Sequence, residues 1–178
     1  MKRSILVPIV TIALSAAVLL GVSLALSGIA VENGKKEHLH IMQTLLPGSE
    51  SFTVEAYTGD DANIVSIHKG ENGFVIETVT RGYVDEIRML IGVSNDGKVT
   101  GLVVRDLSET FGLGAQALTD TDFLAQFLNT SGEAEVGTTV DALTGATVTS
   151  KAITRAVNSA VAYVTGADAS SGATSWGG

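Results

Sequence analysis

Oxygen-bearing side chains crowd one short stretch of this chain. Asp141, Thr144, Thr147, Thr149 and Ser150 follow closely on one another, Gly145 and Ala146 separate two of the threonines, and Lys151 comes next. Small residues leave backbone N–H groups open to a ligand, and hydroxyls with a nearby ammonium group suit a phosphate. From about Thr149 to Thr165 the apolar residues Ile153, Ala156, Val157, Ala160, Val161 and Val164 recur at helical spacing, and Gly166 provides the stop. The stretch thus sits at a helix N-terminus, where unpaired N–H groups and the positive end of the dipole attract an anion. Two readings stand: a phosphate site, or an ordinary cap in which a hydroxyl satisfies the first N–H groups.

A second segment, Ser108 to Gln116, reads SETFGLGAQ. Gly112 and Gly114 let the backbone come close to a flat ligand, with Glu109 and Thr110 as hydrogen-bonding neighbours and Leu113 between the glycines. The same residues would also serve as a tight connection between a strand and a helix.

The elements that must position these segments are legible in the spacing of apolar residues. Ser51–Tyr57, Ile64–His68, Phe74–Thr80, Glu86–Val93 and Val99–Asp106 are rich in strand formers. Glu71-Asn72-Gly73 and Asn95-Asp96-Gly97 are turn sequences that accept positive φ, so at least two neighbouring pairs are expected to be antiparallel hairpins. A short helix is expected over Asp120–Asn129, capped by Thr119 or Asp120, and a short strand over Val136–Val140. The predicted fold class is α+β: a largely antiparallel sheet with helices packed on it. His38, His40 and His68 have no carboxylate cluster in register, so no metal site is expected.

The beginning of the chain is different in kind. Ile5 to Val31 carries no charge, and a helix of that length covers roughly 40 Å, more than the hydrocarbon core of a bilayer. A single transmembrane helix is expected there. Gly28-Ile29-Ala30 resembles a cleavage site, but the apolar run is longer than a signal peptide uses. Lys35–Leu46 reads as a helix that continues outward as a stalk. The expected organisation is an anchor over 1–33, a folded domain over 34–166 and a flexible tail over 167–178. Lys2 and Arg3 precede the span and Lys35 and Lys36 follow it, so the charge rule hardly discriminates. A lone anchor with a short basic N-terminus leaves that end in the cytoplasm and the folded part outside.

The chain has 11 basic and 19 acidic residues and a net charge of −8. Lys2 and Arg3 are the basic residues ahead of Glu32, so the part beyond the span is more acidic still, a poor partner for nucleic acid. With no cysteine, thiolate nucleophiles and iron–sulfur ligation are excluded, and redox chemistry would need another cofactor.

Taken together, GYVDEI (82–87), VSNDGKVTGLVV (93–104), SETFGLGAQ (108–116) and DALTGATVTSKAITRAV (141–157) closely resemble the FMN-binding domain of the G subunit of the Rnf electron-transport complex. They also resemble the homologous C subunit of sodium-pumping NADH:quinone oxidoreductase; the shorter length favours the Rnf protein. The resemblance covers roughly residues 34–165. It implies that Asp141, Thr144, Gly145, Ala146 and Thr147 form the family's flavin-attachment pattern, with FMN joined to Thr147 by a phosphoester that a flavin transferase makes. It further implies that Glu109-Thr110-Phe111-Gly112-Leu113-Gly114 is the family's glycine loop, with Phe111 where the family has proline. The implied function is electron relay in a membrane-bound, ion-translocating ferredoxin:NAD oxidoreductase, with other membrane subunits as partners and no substrate chemistry alone. A free-standing flavoprotein of extracellular electron transfer and a non-redox assembly module are the other functions considered. Asp168-Ala169-Ser170-Ser171-Gly172-Ala173-Thr174 repeats the attachment spacing in the tail, so Thr174 also satisfies the pattern formally; Thr147, followed by a helix, is preferred.

Overall fold

The computed structural model describes residues 2–108 and 114–167, apart from the side chains of residues 2–9 and 24–30. Glu109, Thr110, Phe111, Gly112, Leu113 and Thr174 therefore lie outside the described residues. The chain divides into two units, Met1–His40 and Ile41–Gly178.

The first unit is helical and belongs to α1, Lys2–Leu45. A Glu32–Lys36 ion pair of 2.8 Å one turn apart supports it. Ile12, Leu14, Leu19 and Leu20 are exposed. Within the expected span the described side chains are those of residues 10–23 and 31, whereas about 20 successive apolar residues cross a bilayer core. Among the described residues, no helix is long and apolar enough to cross a membrane.

The second unit is built on a five-stranded sheet in the order β1-β2-β3-β4-β5, every neighbouring pair antiparallel. The strands are β1 Thr53–Glu55, β2 Ile64–Lys69, β3 Gly73–Arg81, β4 Glu86–Ser94 and β5 Val99–Leu107. Consecutive strands pair because their connections are short. At the β4–β5 turn Gly97 has φ +78°, a conformation that costs glycine little, and the Gly97 N–H bonds to the Ser94 carbonyl at 2.9 Å.

Strand periodicity gives this sheet two apolar faces. On one, Ile67, Ile76, Ile87, Met89, Ile91 and Val93 pack in the main core with Ile153, Val157 and Val161 of α3, Thr147–Thr165. On the other, Val75 and Leu90 pack with Met42, Leu45 and Leu46 at the end of α1. That end closes tightly because Gly92 and Gly101 are opposite each other in the β4–β5 pair. A Cβ on Gly92 would run into the Leu45 carbonyl oxygen, which also accepts a hydrogen bond from the Thr100 hydroxyl.

Four boundaries differ from expectation. The strand expected over 51–57 is the shorter β1, Thr53–Glu55. The helix expected over 120–129 is α2, Thr121–Ala125. Beyond it, Gln126, Phe127 and Leu128 donate to carbonyls three residues back, and Asn129 and Thr130 pair with Val99 at the start of β5. Asn129 adopts φ 63° and ends the helical path. The segment 136–140 is a turn closed by an isolated Val136–Val140 bridge, not a strand. Gly137 has φ +87°, and the Glu135 carbonyl accepts from the N–H groups of Thr138, Thr139 and Val140. Finally, α3 begins at Thr147, two positions before the periodic apolar residues predict.

Candidate functional site

The mouth of α3 is set by what lies beneath it. Leu143 and Ala146 are buried at 5% and 6% exposure, so their side chains pin the turn to the core while Thr144, Gly145 and Thr147 face solvent. Gly145 has φ +73°, the left-handed conformation in which a side chain would be strained. Ser150, fully buried, ties this turn from below: its hydroxyl accepts from the Leu143 N–H at 3.0 Å and donates to the Ala146 carbonyl at 3.0 Å. Ser150 thus spends its hydroxyl on the protein itself. Thr149 is buried as well, and Lys151 is exposed.

The residue at the N-cap of α3 is Ala146, which makes no side-chain cap hydrogen bond. Of the two readings of this stretch, the ordinary hydroxyl cap is therefore not what the protein builds. Thr147 occupies the first helical position, with its side chain exposed. An uncapped, exposed helix mouth beside an exposed lysine fits a phosphate group, because the first-turn N–H groups point outward. Dipole attraction of about 0.3 to 1 kcal/mol would not by itself retain a cofactor.

Next to this mouth lies an open depression of about 440 Å³, bordered by Gln116, Asp120, Phe123, Gln126, Asp141 and Thr144. Gln116 belongs to a 3₁₀ turn, Gly114–Leu118, which closes the glycine-rich segment. The end of that segment and the helix mouth therefore border the same hollow. Asp120 holds α2 in place by accepting from the Phe123 N–H at 2.9 Å. Gln126 grips the backbone of Asp141, accepting from its N–H at 2.7 Å and donating to its carbonyl at 3.4 Å. Asn158 does the same for Ala134, donating to its carbonyl at 2.9 Å and accepting from its N–H at 3.2 Å. The side chain of Arg155 reaches the Arg81 carbonyl at 3.1 Å and joins α3 to the end of β3.

Among the sequence-predicted residues, Thr144, Gly145, Thr147 and Lys151 come together at one surface, with Ala146, Thr149 and Ser150 buried under it. Gln126 carries no local signal of its role, since it acts on a segment distant in sequence. Among the described residues no group of histidine and carboxylate side chains is arranged for a metal ion.

A polar cluster lies away from the site. Burial works against the charge of Glu77, but hydrogen bonds from Ser66 at 2.9 Å and Arg88 at 3.1 Å, with the Arg88 and His68 charges, outweigh it. Its carboxyl is held below the usual range.

Residues 82–162 match the FMN-binding domain family. These bounds take in β4, β5, the depression and most of α3. The chain is 37% identical over 139 residues to the G subunit of the ion-translocating oxidoreductase complex of Methanosarcina acetivorans, covering 69% of this chain and 72% of the relative. It is 38% identical to the G subunit of the Na⁺-translocating ferredoxin:NAD⁺ oxidoreductase complex of Acetobacterium woodii, covering 50% of this chain and 47% of that one. It is likewise 38% identical to the G subunit of the proton-translocating ferredoxin:NAD⁺ oxidoreductase complex of Clostridium ljungdahlii, covering 52% and 53%. The chain thus spans about half the length of these last two relatives. On the strength of this likeness and of the site it overlies, the chain belongs to the family of G subunits of the ion-translocating oxidoreductase complexes, and it carries that family's FMN-binding domain.

Proposed function

We propose that the chain holds FMN by a phosphoester to Thr147 and relays electrons in a membrane-bound, ion-translocating ferredoxin:NAD oxidoreductase. The coarse role follows from family: an FMN-domain, electron-passing subunit of an oxidoreductase that moves ions. The observation that carries the covalent reading is Thr147 itself, exposed at the first position of an uncapped helix, behind the left-handed Gly145.

In this reading Thr144, Lys151 and the first-turn N–H groups are the groups that would hold the phosphate. Ser150 holds the turn from within, and Thr149 is buried beside it. By the family resemblance, Glu109, Thr110, Gly112 and Leu113 belong to the glycine-rich segment that would serve the flavin ring, Glu109 and Thr110 through hydrogen-bonding groups. Bound flavin supplies one- and two-electron redox chemistry. Residues 5–31 cross the membrane, and the folded domain lies on the extracytoplasmic side. There a dissociated flavin is not replaced, which gives a permanent bond its advantage. A flavin transferase makes that bond, and neighbouring membrane subunits donate and accept the electrons.

Thr147→Val, co-expressed with the transferase, tests the assignment. Loss of the yellow fluorescence that survives a denaturing gel, with an unchanged circular dichroism spectrum, is the expected result. Full fluorescence in the variant would overturn it.

A further inference from the structure

Charge is divided unevenly around the mouth of α3. On the helix side stands Lys151, exposed and one turn beyond Thr147. On the other side is the open depression of about 440 Å³, whose border includes Asp120, Asp122 and Asp141. Among the described residues no lysine, arginine or histidine borders it, and none of the three carboxylates takes part in an ion pair. Like charges gathered at one hollow repel one another, and they repel a phosphate as well. The cation is on the side of the phosphate site and the anions are on the side that leads away from it.

The fold fixes all three acids at the hollow. Asp120 caps α2, its side chain accepting from the Phe123 N–H at 2.9 Å, and Asp122 follows in the first turn of that helix. Gln126 grips both backbone groups of Asp141. Phe123 and Leu143, which also border the hollow, are 3% and 5% exposed, so the acids surround a floor that belongs to the core. Thr144 borders it too. Three residues separate it from the attachment hydroxyl, and three residues span at most about 11 Å.

We propose that Asp120, Asp122 and Asp141 lower the reduction potential of the flavin tethered at Thr147. The proposal rests on the Thr147 reading and names the side chains that set the electron affinity of that site. Reduction of a flavin takes up two electrons from the donor in the relay and one proton from solvent, so the ring gains one unit of negative charge. Carboxylates beside it raise the energy of that state more than the energy of the oxidised one. For charges on the order of 10 Å apart, at an effective dielectric constant between about 20 and 80, each carboxylate lowers the reduced-to-oxidised ratio roughly two- to fifteenfold. A relay weighted in this way releases its electrons to the next carrier instead of retaining them.

The full chain, co-expressed with a flavin transferase, tests this by spectroelectrochemical titration. Cleavage at Arg105 and Lys151 puts Thr147 on the peptide 106–151, whose mass shows that wild type and variants each carry one FMN increment. Asp141 is left in place because it belongs to the attachment pattern. Asp120→Asn keeps the cap of α2, since asparagine caps as well as aspartate. In Asp120→Asn and in Asp122→Asn the midpoint should rise by about 9 to 35 mV, the ratio above converted at 29.6 mV per factor of ten for two electrons. The double variant should show about the sum. The rise should shrink between ionic strengths of about 0.01 M and 1 M, where the screening length falls from about 30 Å to 3 Å. Asp96→Asn is the control, because Gly97 next to it lies against Thr165 at the far end of α3, roughly 28 Å along the helix. An unmodified wild-type chain overturns the Thr147 reading, and this proposal with it. Given a flavinylated wild type, four results overturn this proposal alone: an unchanged or lower midpoint in the double variant, a rise of equal size at high salt, an equal rise in Asp96→Asn, or loss of flavin from the double variant.

Discussion

Replacing Ser150 with alanine removes one oxygen atom from beneath the turn that presents Thr147. That oxygen accepts from the Leu143 N–H and donates to the Ala146 carbonyl, both at 3.0 Å, in a position with no solvent exposure. The substitution leaves a buried N–H without a partner, which costs about 1 to 3 kcal/mol. No water fills the gap easily, because Leu143 and Ala146 are themselves packed in the core. Amide hydrogen exchange at Leu143 reads the effect directly. A loss of that size accelerates exchange roughly 5- to 140-fold, at about 1.4 kcal/mol per factor of ten. Thr144→Ala, a change to an exposed hydroxyl in the same turn, serves as the control and should stay within about 0.5 kcal/mol. Flavin loading should fall in the Ser150 variant as the turn loosens. Equal exchange at Leu143 in wild type and Ser150→Ala would refute the claim that this hydroxyl holds the turn.

Three further outcomes follow from the packing and the charges. Gln126→Ala frees the Asp141 backbone, whose N–H bond to Gln126 is 2.7 Å, and should lower the flavinylated fraction at fixed transferase level with a stability loss of about 0.5 to 1.5 kcal/mol. Gly92→Ala drives a methyl group into the Leu45 carbonyl oxygen and should lower the urea midpoint by the equivalent of about 1 to 3 kcal/mol. Glu77 has a folded-state pKa below its unfolded value, so its stabilising contribution is present above the unfolded pKa and disappears as pH falls through the folded one. The difference in urea midpoint between wild type and Glu77→Gln should therefore be larger at pH 7 than in strong acid, and a gap independent of pH would contradict it.

The sheet was legible because its information is local. Alternating apolar residues and the two Asn-containing turns specify hairpins without help from elsewhere, and the long strands β2 to β5 form within a residue or two of expectation. The body of α3 was equally plain from Ile153 to Val164. Its start was not, because the N-cap is Ala146, a residue with no capping oxygen to mark the boundary, and the hydroxyls nearby suggested a cap further on. The shortening of α2 was hidden for a different reason: Asn129 and Thr130 leave the helical path to pair with Val99, some thirty positions earlier in the chain. Apolar spacing at Phe123, Leu124, Phe127 and Leu128 reports burial and cannot report that pairing. At the site, the sequence singled out Thr147, which is exposed, but presented Ser150 as another ligand hydroxyl. The Ser150 bond to Leu143 depends on how the turn folds back, and that geometry has no signature in composition. Gln126 left no trace at all, since a lone glutamine on a short helix looks like solvated surface.

The central claim, that a flavin phosphate is bonded to the hydroxyl at the start of α3, is tested most directly on protein taken from its own membrane. Mass analysis of the peptide 106–151 from that material should show one FMN increment, with fragmentation placing it on Thr147. The unmodified peptide as the sole species, or an increment placed on any other residue within it, would contradict the account.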